Sequence, residues 1–172
     1  MKRPLIYFQE LNTWDKVTIG LYLNISLGLY FLYAGSELVE EKKDILFWYP
    51  YGTQLFLYFV NYRSLRNKSV YAIWFLIGLF HYYFYLNLIS DPLLEGVKVH
   101  AATGLRNTVI LLSLFQVLRI VSLKIQGEEL VCPSKSRTDL FEERDVTIID
   151  FILFVIYIFF LVMLGLNFQF DK

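Results

Sequence analysis

Residues 151–166 read FILFVIYIFFLVMLGL, and the hydroxyl of Tyr157 is the only polar side-chain group in this stretch. An apolar run of about 18 or more residues predicts a membrane span, because about 20 residues at a rise of about 1.5 Å cross a hydrocarbon core about 30 Å thick. Further apolar residues lie just beyond both ends, past Asp150 and Asn167, so the predicted span covers residues 146–168. A helix of a water-soluble domain would instead show an interrupted apolar stripe.

Four more apolar blocks precede this one in the chain. The hydrophobic share of the sequence is 56%, against about 45–50% in soluble domains. We therefore predict an all-α, polytopic transmembrane helical bundle with about five spans, which form a single domain over residues 1–172. The other predicted spans are 17–35, 45–62, 70–90 and 105–123.

The block over residues 45–62 is the weakest of the five. Pro50 and Gly52 fall in its first turns, and Gln54 lies near its middle. Proline is tolerated near a helix start because the first N–H groups lack partners within the helix. We expect a kink at the entry of this span, or a start near Tyr49.

Lysine and arginine counts predict the orientation. With five spans, 11 of the 16 Lys and Arg residues fall on the side of the N-terminus and five on the other side. Loops rich in Lys and Arg stay inside, so an integral membrane protein with its N-terminus inside and its C-terminus outside is predicted. The longest polar connection, residues 124–145, is then an inner loop and the best candidate to bind a soluble partner.

This inner loop contains the only cysteine, Cys132. An ordinary free thiol is the favoured interpretation, and acylation near the membrane is the alternative. Ser136 or Thr138 could cap a helical turn that leads into the last span.

Charge and motifs exclude several classes of function. The formal net charge is +0, so nothing in the charge indicates a nucleic-acid partner. The sequence has no glycine-rich phosphate loop, no nucleophile elbow and no zinc motif. Asp91, Glu95 and His100 carry ligand-type atoms in the outer loop, but their spacing matches no metal motif. We predict neither a cofactor nor a metal.

Polar side chains recur near the middle depth of four spans. This predicted midplane polar layer comprises Asn24, Gln54, His81, Ser113 and Gln116, with Ser26 close to Asn24. Such groups turn toward the bundle interior, because lipid offers them no partner. The functional interpretation is a site for an ion, a proton, a quinone or a lipid headgroup. Hydrogen bonding that fixes helix register is the interpretation we favour. His81 lacks a second intramembrane histidine, which bis-histidine haem ligation would need.

A charge pair is predicted between the last two spans. Arg119 lies about four residues before the end of the fourth span, and Asp150 about four residues after the start of the fifth. The two helices run in opposite directions, so both charges sit at a similar depth. We expect them to pair, with a structural role, because intramembrane charges usually find partners.

Glycines predict the helix-packing faces. Gly20, Asn24 and Gly28 recur every fourth residue of the first span, and Gly35 follows seven residues later. Small residues at this spacing let another helix approach closely, within the bundle or in a second subunit. Gly78 is a possible counterpart in the third span.

These features leave three hypotheses about function. The first is a non-catalytic subunit or accessory factor of a membrane assembly, with the lipid bilayer and other membrane subunits, or further copies of itself, as partners. The second is a homo-oligomeric channel or small transporter that uses the midplane polar layer. The third is an intramembrane enzyme acting on lipid or quinone through His81, which lacks a clear second catalytic group. The sequence favours the first.

Overall fold

The computed structural model describes residues 9–35, 39–96, 100–134, 138–141 and 144–166. Within these residues the secondary structure is helical, apart from two isolated bridges in the segment that joins the last two helices. The five long helices are α1 (Thr13–Gly35), α2 (Val39–Leu55), α3 (Lys68–Leu88), α4 (Thr103–Ile125) and α5 (Ile148–Leu166). Shorter pieces are a π-helical turn at Phe56–Val60 and 3-10 turns at Ser64–Arg66 and Pro92–Leu94.

The helices form a bundle around α4, which packs against α2, α3 and α5, while α1 packs against α3 and α2. We call the end where α1, α3 and α5 begin the N-face, and the opposite end the C-face. Trp14 reaches the α2–α3 turn at the N-face, where its Nε1 donates to Asn61 Oδ1 over 3.0 Å. At the C-face, Tyr51 donates to the carbonyl of Gly165 over 3.0 Å.

Close backbone approaches hold α4 in the centre of the bundle. A Cβ placed on Gly78 of α3 would lie 3.3 Å from Leu112 Cδ1 and 3.4 Å from Val109 Cα. A Cβ on Gly104 of α4 would lie 3.1 Å from Pro50 Cβ. The absence of a side chain at these glycines lets the helices approach and gain dispersion contacts.

The largest core cluster lies in the N-face half of the bundle. Tyr58 stacks on Tyr157 with ring centroids 3.9 Å apart, and Trp74 and Phe115 are fully buried beside them. A smaller cluster at the C-face joins the end of α3 to the start of α4 around Leu94. The two clusters give both ends of the bundle an apolar interior.

Two helices begin with the same reciprocal cap. At α1, Asp15 N donates to Asn12 Oδ1 over 2.7 Å, and Asn12 N donates to Asp15 Oδ2 over 3.2 Å. At α5, Asp150 N donates to Thr147 Oγ1, and Thr147 N donates to Asp150 Oδ2 over 3.0 Å. These capping boxes satisfy N–H groups that have no partner within the helix. The cap of α5 is thus Thr147; Thr138 lies far upstream of it, and Ser136 is outside the described residues.

The second helix differs from its predicted bounds. It begins at Val39 instead of 45, so much of the expected polar connection over residues 36–44 is helical, and Pro50 lies inside the helix. After Leu55 the helix continues as a π-helical turn, which Asn61 N closes by donating to the carbonyl of Phe56 over 2.9 Å. Charged residues do not stop a helix, so an apolar block marks only part of its length.

Three helices within the described residues are long and apolar enough to cross a membrane, namely α3, α4 and α5. The most apolar window of α5 is only 17% buried inside the bundle, so most of its apolar surface faces outward. Large outward apolar surfaces mark interaction with lipid or with other proteins. The all-helical bundle agrees with the predicted class, whereas the number of five spans stays a prediction.

The described parts of the segment between α4 and α5, residues 126–134, 138–141 and 144–147, fold back onto the N-face instead of extending into solvent. Gly127 ends α4 with φ of 74°, the left-handed conformation that glycine adopts without strain. Leu130, Val131 and Cys132 are buried in the main core, and Leu140 N donates to the carbonyl of Cys132 over 3.0 Å. We call this segment the return loop.

Candidate functional site

His81 is the centre of a buried polar cluster where α1, α2 and α3 meet. Its Nε2 lies 3.0 Å from Ser26 Oγ and 3.4 Å from the hydroxyl of Tyr49, and those two oxygens are 2.7 Å apart. Ser26 also donates to the carbonyl of Tyr22 over 2.7 Å. His81 is 1% exposed, and its Nδ1 has no hydrogen-bond partner. A proton on Nε2 suits this arrangement, because a bare acceptor at Nδ1 costs less than a bare donor.

Gln54 lies elsewhere, in the contact between α2 and α4. Its Nε2 donates to the carbonyl of Gly104 over 3.0 Å and lies 3.5 Å from Thr108 Oγ1. The side chain is fully buried, and its Oε1 has no hydrogen-bond partner. This amide therefore links α2 to α4. None of its hydrogen bonds involves the His81 cluster.

The other members of the predicted midplane polar layer also separate. Gln116 donates to the carbonyl of Leu65 over 2.9 Å, near the N-face. Asn24 and Ser113 are exposed, and each bonds the carbonyl four residues earlier in its own helix, Gly20 and Val109 respectively. The five residues thus meet different partners, and the structure does not bring them together into one site.

A buried ion pair connects α4 to the return loop. Arg119 Nε and Nη2 donate to the two carboxylate oxygens of Glu129, each over 2.7 Å. The two residues are 2% and 3% exposed. Arg119 Nη1 also lies 3.4 Å from Gln116 Oε1. This bidentate geometry is the strong form of an arginine–carboxylate contact, and it fixes the start of the return loop under α4.

A second ion pair joins the other end of the return loop to α5. Arg144 Nη1 lies 2.7 Å from Asp150 Oδ2, and Nη2 lies 2.8 Å from Asp150 Oδ1. Gln126 donates to the same Oδ1 over 2.8 Å. Arg144 Nη2 also donates to the carbonyl of Glu129 over 2.9 Å, so the two pairs belong to one network. Asp150 is fully buried within it.

These contacts correct the predicted pairing of Arg119 with Asp150. Each of the two side chains makes its close ion pair with a residue of the return loop, Glu129 for Arg119 and Arg144 for Asp150. Sequence reasoning missed Glu129 because it assigned residues 124–145 to a polar inner loop and sought the partner of Arg119 only among the spans. The apolar run Leu130-Val131-Cys132 directly after Glu129 was the available signal that the loop turns inward.

The predicted packing glycines fall into two groups. Gly78 lies at the close α3–α4 contact described above. Gly20 and Gly28 face open space: apart from the backbone of their own helix, no described atom lies within 4 Å of a Cβ placed there. The backbone of Gly35 ends α1, and the surroundings of that residue lie outside what the structure describes. The glycine face of α1 is therefore not used inside the bundle.

The outer-loop residues serve local structure. His100 Nδ1 accepts from Ala102 N over 3.3 Å, and its Nε2 lies 3.2 Å from the carbonyl of Asp91. Both ring nitrogens are thus engaged. Tyr33 donates to Asp91 Oδ2, and this hydrogen bond lowers the pKa of the Asp91 carboxyl. Among the described residues, no group of three or more His, Cys, Asp or Glu side chains could hold a metal ion.

Cys132 lies inside the fold of the return loop. It is a free, buried cysteine, and burial raises the pKa of its thiol to about 12. A thiol reacts as its thiolate, so this environment suppresses its reactivity at neutral pH. The burial favours the inert-thiol interpretation over acylation.

Comparisons with protein-family models, with curated proteins and with solved structures find no match for this chain. Its function is therefore argued from its own geometry.

Proposed function

We propose that this chain is a five-span integral membrane protein that acts non-catalytically, as a subunit or accessory factor of a membrane assembly. The N-terminus is inside and the C-terminus outside. Its partner is a transmembrane helix of another protein, which packs on the outward face of α1. We call this surface, formed by Gly20, Asn24 and Gly28, the α1 face.

The exposed surface of α1 supports its assignment as a span alongside α3, α4 and α5. The helix is 23 residues long, enough to cross a hydrocarbon core about 30 Å thick at about 1.5 Å per residue. Val17 and Phe31 are 60% and 67% exposed, and Leu21, Leu27 and Leu32 are also exposed. In water these side chains would form a large apolar patch.

The observation that carries the proposal is the polar and small character of the α1 face. Asn24 is exposed near the middle of the helix, between glycines that no other described part of the chain covers. An amide that faces hydrocarbon is costly, and small residues on either side of it permit a close helix approach. Asn24 Nδ2 donates to the carbonyl of Gly20 over 2.7 Å, and a partner helix with a hydrogen-bonding side chain satisfies the rest of the amide and covers both glycines.

The buried polar groups support a structural role over chemistry. His81 and Ser26 are buried between three helices, Tyr49 is half-buried, and the contacts of this cluster join α1, α2 and α3. A catalytic histidine needs access to substrate and a geometry that holds a reacting atom. The predicted midplane polar layer is divided among separate contacts, which suits helix registration better than a continuous ion path.

The decisive experiment compares two outward substitutions. Gly28→Leu adds bulk to the α1 face, where the monomer has free space, and Ser113→Leu adds bulk to an exposed position of α4. We expect tagged protein from native membranes to co-purify with a second membrane protein, and Gly28→Leu to abolish this without lowering the melting temperature. Ser113→Leu is the control and retains the partner.

Photocross-linking tests the same surface directly. A photoreactive residue at position 24 should capture the partner, whereas one at the exposed Val155 of α5 should capture lipid only. Capture of a second tagged copy at position 24 would identify the partner as another copy of this chain. Full co-purification in Gly28→Leu, with no capture at position 24, would refute the proposal. Labelling of both termini from the same side would refute the five-span topology.

A further inference from the structure

A cavity of about 540 Å³ opens at the N-face, between the start of α1, the α2–α3 turn and the return loop. Its wall includes the carboxylates of Glu10 and Asp15, the guanidinium of Arg63 and the rings of Trp14 and Phe141. The volume falls within the range of about 300–1,000 Å³ that is usual for small-molecule sites. Opposite charges and aromatic rings thus meet in one concave wall.

Asp15 is the unusual member of this wall. It is 3% exposed, and its Oδ2 is engaged in the cap of α1, where it accepts from Asn12 N. Its other oxygen, Oδ1, is buried and has no hydrogen-bond partner. A buried carboxylate oxygen without a donor is rare, because burial removes the water that would otherwise bind it. Asp15 therefore brings to this wall an unused acceptor that is itself buried.

The cap of α5 shows which donors bind a carboxylate at this position in this protein. Asp150 occupies the same position of the same capping box, and Arg144 donates to both of its oxygens. Gln126 adds a third donor at Oδ1. The described partners of Asp15 supply no such cation at Oδ1. The comparison points to a cation that comes from outside the chain.

We propose that this cavity binds a phosphoalkylammonium group, with its ammonium at Asp15 and its phosphate at Arg63. Glu10 lines the same cavity and adds a second negative charge, and the aromatic ring of Trp14 in the lining can attract a cation through its quadrupole. Arg63 already lies over the ring of Phe141, 5.3 Å from its centroid, at the exposed side of the cavity. Oδ1 is buried, so binding requires a local rearrangement of the wall that uncovers this oxygen.

Two ligands contain a phosphoalkylammonium group: an ethanolamine phospholipid of the surrounding membrane, and free phosphoethanolamine. The lipid source fits the proposed position of the N-face at the membrane surface. The free ligand does not depend on that position. Neither source depends on a partner at the α1 face, so this proposal and the proposed assembly can fail separately.

The test uses the full chain in detergent micelles, with binding followed by native mass spectrometry and thermal shift. The probes are dihexanoyl phosphatidylethanolamine, dihexanoyl phosphatidylglycerol, and free phosphoethanolamine. We expect the ethanolamine lipid to bind at least 10-fold more tightly than the glycerol lipid. Equal occupancy by free phosphoethanolamine identifies the soluble source, and its failure to bind identifies the lipid; both support the site.

Matched variants locate the binding. Asp15→Asn keeps an oxygen that can accept from Asn12 N, so the cap and the fold are retained while the charge is lost. Asp44→Asn makes the same change at an exposed position near the C-face. We expect Asp15→Asn to weaken binding at least 10-fold and Asp44→Asn to leave it unchanged.

A third variant keeps the test decisive if Asp15→Asn fails to fold. Arg63→Gln changes an exposed residue, and we expect it to weaken binding of the phosphorylated probes while the protein melts normally. Equal binding of the two lipids would overturn the proposal. So would an ethanolamine-lipid affinity that neither Asp15→Asn nor Arg63→Gln reduces.

Discussion

The ion pair between Arg119 and Glu129 gives the sharpest test of how the return loop is held. Arg119→Met removes a buried cation and leaves the Glu129 carboxylate without the two 2.7 Å hydrogen bonds it now accepts. Hydrogen bonds to charged groups contribute about 1.5–3 kcal/mol each, and removing one member of a buried pair costs about 3–5 kcal/mol. We expect a loss of about 3–5 kcal/mol in the free energy of unfolding.

A double-mutant cycle separates this pair from the rest of the network. Replacing both partners, Arg119→Met with Glu129→Leu, removes the stranded charge, so the double change should cost less than the sum by about 2–3 kcal/mol. Arg119→Met with Asp150→Asn should couple more weakly than Arg119→Met with Glu129→Leu, because Arg119 and Asp150 make their close ion pairs with different residues.

Equilibrium unfolding in mixed detergent micelles provides the assay. Tryptophan fluorescence, to which the fully buried Trp74 contributes together with the exposed Trp14 and Trp48, reports tertiary structure, and circular dichroism reports helix content. Additive losses for Arg119 and Glu129, with the larger coupling between Arg119 and Asp150, would refute the assignment of partners.

Four shorter predictions concern single positions. Gly78→Leu should destabilise the bundle by at least about 1–3 kcal/mol in the same unfolding assay, because the new side chain overlaps α4. Gly127→Ala should cost about 1–2 kcal/mol, since φ of 74° is strained for alanine; equal stability would contradict that conformation. Maleimide should modify Cys132 slowly at pH 7 in the folded protein and rapidly in denaturant, with mass spectrometry as the measurement, because burial raises the thiol pKa to about 12. The hydrogen bond from Tyr33 lowers the pKa of Asp91, so its stabilising effect is present above the ordinary aspartate pKa and is lost as pH falls through the lowered value. Tyr33→Phe should flatten this part of the stability–pH curve.

The sequence predicted the positions of α3, α4 and α5 to within about two residues, because each coincides with an apolar block whose ends are polar. The start of α2 was not predictable in the same way, since Lys42 and Lys43 lie within the helix and are compatible with it. Hydropathy reports where a helix meets lipid or core, and it does not report where the hydrogen-bonded backbone begins.

Side-chain partners were less predictable than helices. Depth alone suggested that Arg119 and Asp150 would meet, but a loop residue can reach the same depth when the loop folds inward, as Glu129 does. The cap of α5 was visible in the sequence as Thr147-Ile-Ile-Asp150, a capping-box spacing directly before the apolar run. The His81 cluster needed Tyr49, whose ring position depends on a helix start that hydropathy misplaced.

The π-helical turn at Phe56–Val60 makes the second helical segment one residue longer than a regular helix between the same two endpoints. On its C-face side the segment presents Gln54 to α4, and beyond the turn it presents Tyr62 to Asp139 of the return loop, over 2.7 Å. Deleting one residue there would restore regular pitch but rotate everything beyond it by about 100°. The surplus residue thus sets the rotation with which the helix enters the following turn, so that Tyr62 in that turn points to the return loop while Gln54 points to α4.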